Sequence, residues 1–150
     1  ELAPKPALVH FPADVVGTIT LSLPLPPLAA GHVTLDAMDD EDLPHTRTID
    51  GNGQKWWDKY WALRKEYEPK GLRWASDYDA ERVRLMLISN SSDVTIENVS
   101  LKRSGFWTVQ ILYSEYVTVD GIKISDNGGP STDGVDVDSS RFVLIQNLTI

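Results

Sequence analysis

Val94, Ile96, Val99 and Leu101 recur 23 residues later as Val117, Val119, Ile122 and Ile124, and 26 residues after that as Val143, Ile145, Leu148 and Ile150. A second apolar set precedes each of these: Val83, Leu85 and Leu87, then Val109 and Ile111, then Val135 and Val137. Within every set the apolar residues stand two apart, the spacing of the inward face of a β-strand. Asn98, Gly121 and Asn147 share one repeat position between the paired apolar pairs, where a bend calls for a residue tolerant of positive φ. A period of this length with two or more short strands per turn predicts an all-β fold, a right-handed parallel β-helix. Each coil adds a rung about 4.8 Å above the last, and identical inward positions stack into one core. A leucine-rich repeat would need a Leu-x-x-Leu-x-Leu frame and a helix-length segment, and neither is present. Three coils fill residues 81–150. The last ends on an inward-facing Ile150 with no polar cap, so the fold is expected to be incomplete at the C-terminus, with more chain following.

The rest of the chain differs in texture. Residues 1–50 are proline-rich and read as irregular N-terminal coils. Val15–Leu23 and His32–Leu35 alternate like short strands, whereas Leu25-Pro26-Pro27 cannot lie in a central strand because proline lacks the amide donor. Asp39-Asp40-Glu41-Asp42 reads as a solvated acidic loop. Residues 51–80 hold four of the five tryptophans, Trp56, Trp57, Trp61 and Trp74. Trp57, Tyr60, Trp61, Arg64 and Tyr67 fall at helical spacing, so a short amphipathic helix is predicted over Lys55–Tyr67, ended by Pro69-Lys70-Gly71. These aromatics fit either a sugar-stacking platform or a packed cap over the end of a sheet. Together the three regions make one domain of ordinary size for 150 residues.

Composition excludes several roles. With 14 Lys+Arg against 22 Asp+Glu the net charge is −8, which disfavours nucleic acid and anionic membranes as partners. No apolar run is long enough to span a bilayer, and without cysteine there is neither a disulfide framework nor a thiolate site. His10, His32 and His45 are isolated, with no metal-ligand spacing. The opening Glu1-Leu2-Ala3-Pro4 lacks a start methionine and a leader, as expected of a processed protein or an excised piece.

Chemistry concentrates in Gly128–Ser140. Where the first coil has Val83 and the second Trp107, the third has Asp133, and Asp136 and Asp138 follow. Three carboxylates within six residues suit general acid/base work or a hard cation such as Ca²⁺. Alternation points Asp136 and Asp138 outward and leaves the direction of Asp133 open. An Asp-Gly turn with solvated neighbours is the plainer alternative.

The run Ser131-Thr132-Asp133-Gly134-Val135-Asp136 closely resembles the Asn-Thr-Asp-Gly-Ile/Val-Asp motif of glycoside hydrolase family 28, the polygalacturonase family. Ile49-Asp50-Gly51-Asn52-Gly53-Gln54-Lys55-Trp56-Trp57 is similar to that family's strand–Asp-Gly-x-Gly–Trp-Trp segment. Ser104-Gly105-Phe106-Trp107 is similar to its Ser-Pro-x-Trp coil, and Phe11-Pro12-Ala13 with Gly17-Thr18-Ile19 to its opening coil. The resemblance implies hydrolysis of α-linked galacturonic acid or related pectic glycosides with inversion, without metal or other cofactor. It makes Asp133 a catalytic aspartate that helps activate water, and sets Ser131, Asp136 and Trp107 at the substrate. The remaining catalytic residues would follow Ile150, so the 150 residues alone are expected to be inactive. Ser131 departs from the motif's asparagine, the family's usual cysteines are missing, and the proline-rich Leu21–Pro27 has no counterpart. A pectic polysaccharide or oligosaccharide is the implied partner and export, to the periplasm or outside, the implied location. The acidity of the chain then asks for basic subsites in further coils. Lys102, Arg103, Lys123 and Arg141, the cations identified near the coils, read as surface solubilisers. Two other classes stay open: a calcium-dependent pectate-lyase-like enzyme ligating through Asp133, Asp136 and Asp138, and a non-catalytic sugar-binding β-helix.

Overall fold

The computed structural model describes residues 7–10, 17–25, 27, 33–36 and 47–150. Phe11–Ala13, His32, Asp39–Asp42 and His45 lie outside the described residues. The fold is mostly β with parallel sheets, and its few helices sit between the fourth and fifth strands.

Three sheets carry the strands, numbered along the chain. The first runs β1 (Ala7–His10), β3 (Val33–Asp36), β6 (Ser92–Glu97), β9 (Glu115–Asp120) and β12 (Arg141–Gln146). The second holds β2 (Gly17–Thr20), β4 (Arg47–Asp50), β7 (Ser100–Lys102) and β10 (Lys123–Ser125). The third holds β5 (Met86–Ser89), β8 (Val109–Leu112) and β11 (Val135–Asp138). Every pairing is parallel, and the sequence repeat becomes the register: Val94 pairs with Val117 and Val117 with Val143. Ser100 likewise pairs with Lys123. Equivalent residues thus meet in one core, where Val94, Ile96, Val99, Leu101, Val117, Val119 and Ile122 are wholly buried. Each such side chain contributes about 1.5–3 kcal/mol of transfer free energy. At the outer edge, Val137 and Ile145 remain 47% and 37% exposed.

The third sheet corrects one expectation. Met86 pairs with Val109 and Ile88 with Ile111, so Met86 and Ile88 face the core in β5 while Leu87 is half-buried. The Val83/Leu85/Leu87 phase is one residue out, although Leu85 is buried just ahead of the strand. Alternation could not decide this, because Leu85-Met86-Leu87-Ile88 is apolar in both phases.

The bends follow the repeat closely. Asn98, Gly121 and Asn147 sit at φ of +58°, +59° and +54°, as their shared position predicts. A second corner is a serine ladder. The Ser114 hydroxyl accepts the Ser91 amide at 3.1 Å and the Ser140 hydroxyl accepts the Ser114 amide at 2.9 Å. Each ladder serine therefore satisfies a corner amide that the sheets leave unpaired.

Helix α1 (Gln54–Tyr67) begins one residue before the predicted span. A 3₁₀ turn over Glu68–Lys70 continues it to Gly71, whose φ of +72° stops the run. A short α2 (Ala75–Asp79) leads back to the sheets. Trp56, Trp57 and Tyr60 of α1 are buried, whereas Trp61 and Trp74 are 47% and 68% exposed. The first group is packing; Trp74 keeps an open ring face.

Candidate active site

Asp133 lies on the connection between β10 and β11, residues 126–134. The equivalent connection one repeat earlier, residues 103–108, is three residues shorter, which accounts for the change of period from 23 to 26. The longer connection is tied down at several points. Asn127 Oδ1 accepts the Ser104 amide at 2.9 Å, and Asn127 Nδ2 donates to Thr108 Oγ1 at 2.7 Å. The Thr132 hydroxyl donates to the carbonyls of Asn127 and Gly129 at 2.9 and 3.0 Å. Trp57 Nε1 donates to the Ser104 carbonyl at 2.8 Å, and its ring closes on Gly129 so tightly that a Cβ there would lie 2.1 Å from Nε1. The Asp133 carbonyl accepts the Thr108 amide at 2.9 Å. Asp133 is thus an exposed carboxylate on a fixed backbone, with Ser131 two residues before it at φ +52°.

The pairing of β5, β8 and β11 places Arg84, Trp107 and Asp133 in one column, since Leu85 and Thr108 donate to the carbonyls of Trp107 and Asp133. Arg84, and not Val83, is therefore the first-repeat counterpart of Asp133. Three residues further along the strands, Leu87, Gln110 and Asp136 share a column. Asp136 is half-buried. Burial, and then the charge of Asp133, push its carboxyl above the usual carboxylate range, with Arg84 opposing them. Asp138 is exposed and accepts the Ser139 hydroxyl at 2.8 Å. Among the described residues no three acidic or histidine side chains converge as a metal-ligand set.

Beside the Asp133 column opens a cavity of about 610 Å³, lined by Trp74, Asp77, Tyr78, Arg82, Arg84, Phe106, Trp107 and Ser131. It brings together two residues named from sequence, Trp107 and Ser131, with Asp133 in the column of Trp107 and Asp136 three residues further on. It adds Arg82, Arg84 and the exposed ring of Tyr78, which sequence reasoning passed over, and the exposed ring of Trp74, one of the aromatics read as either a stacking platform or a cap. Arg84 could have been found by counting 23 residues back from Trp107. Of the cations read as surface residues, Arg103 and Lys102 instead pair with the carboxylate of Asp50, a residue 2% exposed. Burial alone would raise the Asp50 carboxyl. The Arg103 and Asn52 hydrogen bonds, with the Arg103 and Lys102 charges, outweigh it and hold the group below its usual value. Arg141 pairs with Glu115 across one repeat.

Residues 32–150 match the model of the glycosyl hydrolases family 28. A probable polygalacturonase of Vitis vinifera is 30% identical over 104 residues, 69% of this chain and 18% of that protein. Endopolygalacturonase A of Aspergillus niger is 29% identical over 102 residues, 68% of this chain and 25% of that enzyme. A glycosyl-hydrolase candidate from Parabacteroides merdae with a solved structure aligns at a TM-score of 0.47 and 17% identity, over 79% of this chain and 46% of that one. The chain thus spans about a fifth to a quarter of the length of these polygalacturonase relatives. The family match takes in both the Asp50–Trp57 segment that clamps the loop and the Asp133 loop itself, and the chain belongs to the glycosyl hydrolases family 28.

Proposed function

We propose that this chain supplies one wall of the active site of a pectin-degrading hydrolase, built as a single-domain right-handed parallel β-helix. The reaction is inverting hydrolysis of α-linked galacturonic acid, or a related rhamnogalacturonan linkage. Water attacks the anomeric carbon, a carboxylate takes its proton, and a carboxylic acid protonates the departing oxygen. Asp133 is the water-activating carboxylate. Ser131, Trp107 and Asp136 contact the substrate. The acid is not assigned to a residue of this chain. A polymeric pectic substrate is met outside the cytoplasm, so the protein is exported.

The observation that carries this reading is an exposed Asp133 fixed by Thr108, Asn127 and the Trp57 clamp, beside a half-buried Asp136 and an aromatic cavity. A rigid backbone keeps a general base within reach of its water through the transition state. The stacked register of consecutive repeats supports the β-helix.

The test is Asp133→Asn in the protein as its gene encodes it. Turnover of polygalacturonate is expected to fall about 10²–10⁴-fold, with little change in KM. Unchanged turnover would sink the assignment. Unsaturated, ultraviolet-absorbing products lost on chelation would replace hydrolysis by calcium-dependent elimination.

A further inference from the structure

We infer that the cavity beside Asp133 is an anion-selective sugar subsite, in which the Arg84 guanidinium takes the carboxylate of a uronic acid and Trp107 fixes that guanidinium in place. The inference rests on the functional reading above for its substrate class and adds to it a residue and a selectivity.

A chain of net charge −8 repels an anionic ligand unless a local cation is free to meet it. Arg84 is such a cation. Among the described residues no carboxylate stands within ion-pair distance of it, whereas Arg82 next to it is held by Asp77 at 3.4 Å. The guanidinium of Arg84 lies 5.1 Å from the Trp107 ring and 5.4 Å from Phe106. Those two rings are themselves stacked at 4.5 Å. The rings flank the guanidinium and the cavity opens beside it, where its terminal nitrogens can take a carboxylate.

The polar atoms around it are unfinished in a telling combination. Arg82 Nε, Arg84 Nε, Gln110 Oε1 and Asp136 Oδ2 are buried without a hydrogen-bond partner. Gln110 and Asp136 are neighbours in register, and the charges of Arg84 and Asp136 interact. Of these residues Arg82 and Arg84 line the cavity, so the cavity presents guanidinium donors to a ligand. A uronic acid meets those donors with its carboxylate. Trp74 and Tyr78, 68% and 87% exposed, line the same cavity and offer flat apolar faces to a sugar ring.

Calorimetry on the gene-encoded protein carrying Asp133→Asn tests this without turnover, using trigalacturonate and its fully methyl-esterified form. The acid is expected to bind at least about tenfold more tightly than the ester. Arg84→Gln should remove that preference by weakening the acid about tenfold, equivalent to about 1.4 kcal/mol, and leave the ester unchanged. Arg84→Lys should recover part of it, and in the active protein Arg84→Gln should raise KM with kcat kept. Equal binding of acid and ester, or equal weakening of both by Arg84→Gln, overturns the subsite. If Arg84→Gln does not fold, judged by far-ultraviolet circular dichroism, the acid–ester comparison on the unaltered cavity decides. Turnover that survives Asp133→Asn, alongside Arg84-dependent selectivity, would remove Asp133 as the water-activating group and leave the subsite standing.

Discussion

Asp133 and Asp136 stand three residues apart and meet different surroundings, one exposed, the other half-buried with an oxygen that no donor reaches. Because the folded protein raises the Asp136 carboxyl above its ordinary value of 3.8, it favours the protonated form. The contribution of Asp136 to stability is therefore best below pH about 4 and is lost as pH rises through the folded value. Asp136→Asn is expected to raise the melting temperature at pH 7, and the gain should shrink as melting is followed down to pH about 3.5. A gain independent of pH would contradict the assignment of cause. Residues also show where sequence reading reached and where it stopped. The positive φ at Asn98 and Asn147 was legible, because asparagine and glycine, alternating at one repeat position, share little beyond tolerance of the left-handed backbone region. Arg84 was not, because an apolar run on both faces hides its phase, and a one-residue slip exchanged it for Val83. Asp50 was legible as part of a motif but not as the buried partner of Arg103, since residues 53 apart are joined by folding and not by spacing.

At the scale of elements, α1 acts as a clamp across two repeats. Trp56 packs on Gly105 and Trp57 on Gly129, where an added Cβ would fall 2.6 and 2.1 Å from the rings. The prediction is asymmetric between adjacent glycines. Gly129→Ala should destabilise by about 1–3 kcal/mol and lower turnover with it, because either Trp57 or the Asp133 loop has to move. Gly128→Ala, whose Cβ would lie 3.8 Å from Trp57, should stay within about 0.5 kcal/mol. Urea denaturation of both variants checks the stability difference, and equal losses would show that Trp57 does not hold the loop. The helix itself was legible from periodicity and its glycine stop, but its purpose was not. Sequence spacing reports that Trp56 and Trp57 are adjacent; it does not report which distant glycines leave room for them. The serine ladder was present in the sequence at the same 23- and 26-residue offsets and went unread, because hydrophobic periodicity takes no account of polar residues.

For the molecule as a whole, one core joins the three sheets, and the clamp couples the helix to it. Ile111 lies midway between Ile88 and Val137 in register and is fully buried. Ile111→Ala is expected to cost about 2–5 kcal/mol. Its unfolding should remain a single transition, with tryptophan fluorescence and far-ultraviolet circular dichroism coinciding. Separate transitions would mean that helix and sheets melt independently. The family and the parallel sheets were legible here because a repeat states its own register. Basic subsites were expected in further coils because net charge is a property of the whole chain and says nothing of where single cations such as Arg82 and Arg84 come to lie. The change of period from 23 to 26 also gives this architecture a place to vary. All three additional residues fall in the connection that carries Ser131 and Asp133, and the strands on either side keep their partners. Lengthening that connection from six residues to nine costs about 0.4 kcal/mol in closure entropy. Evolution can therefore rewrite the Asp133 loop, in length as well as in composition, while the core inherits its register unchanged.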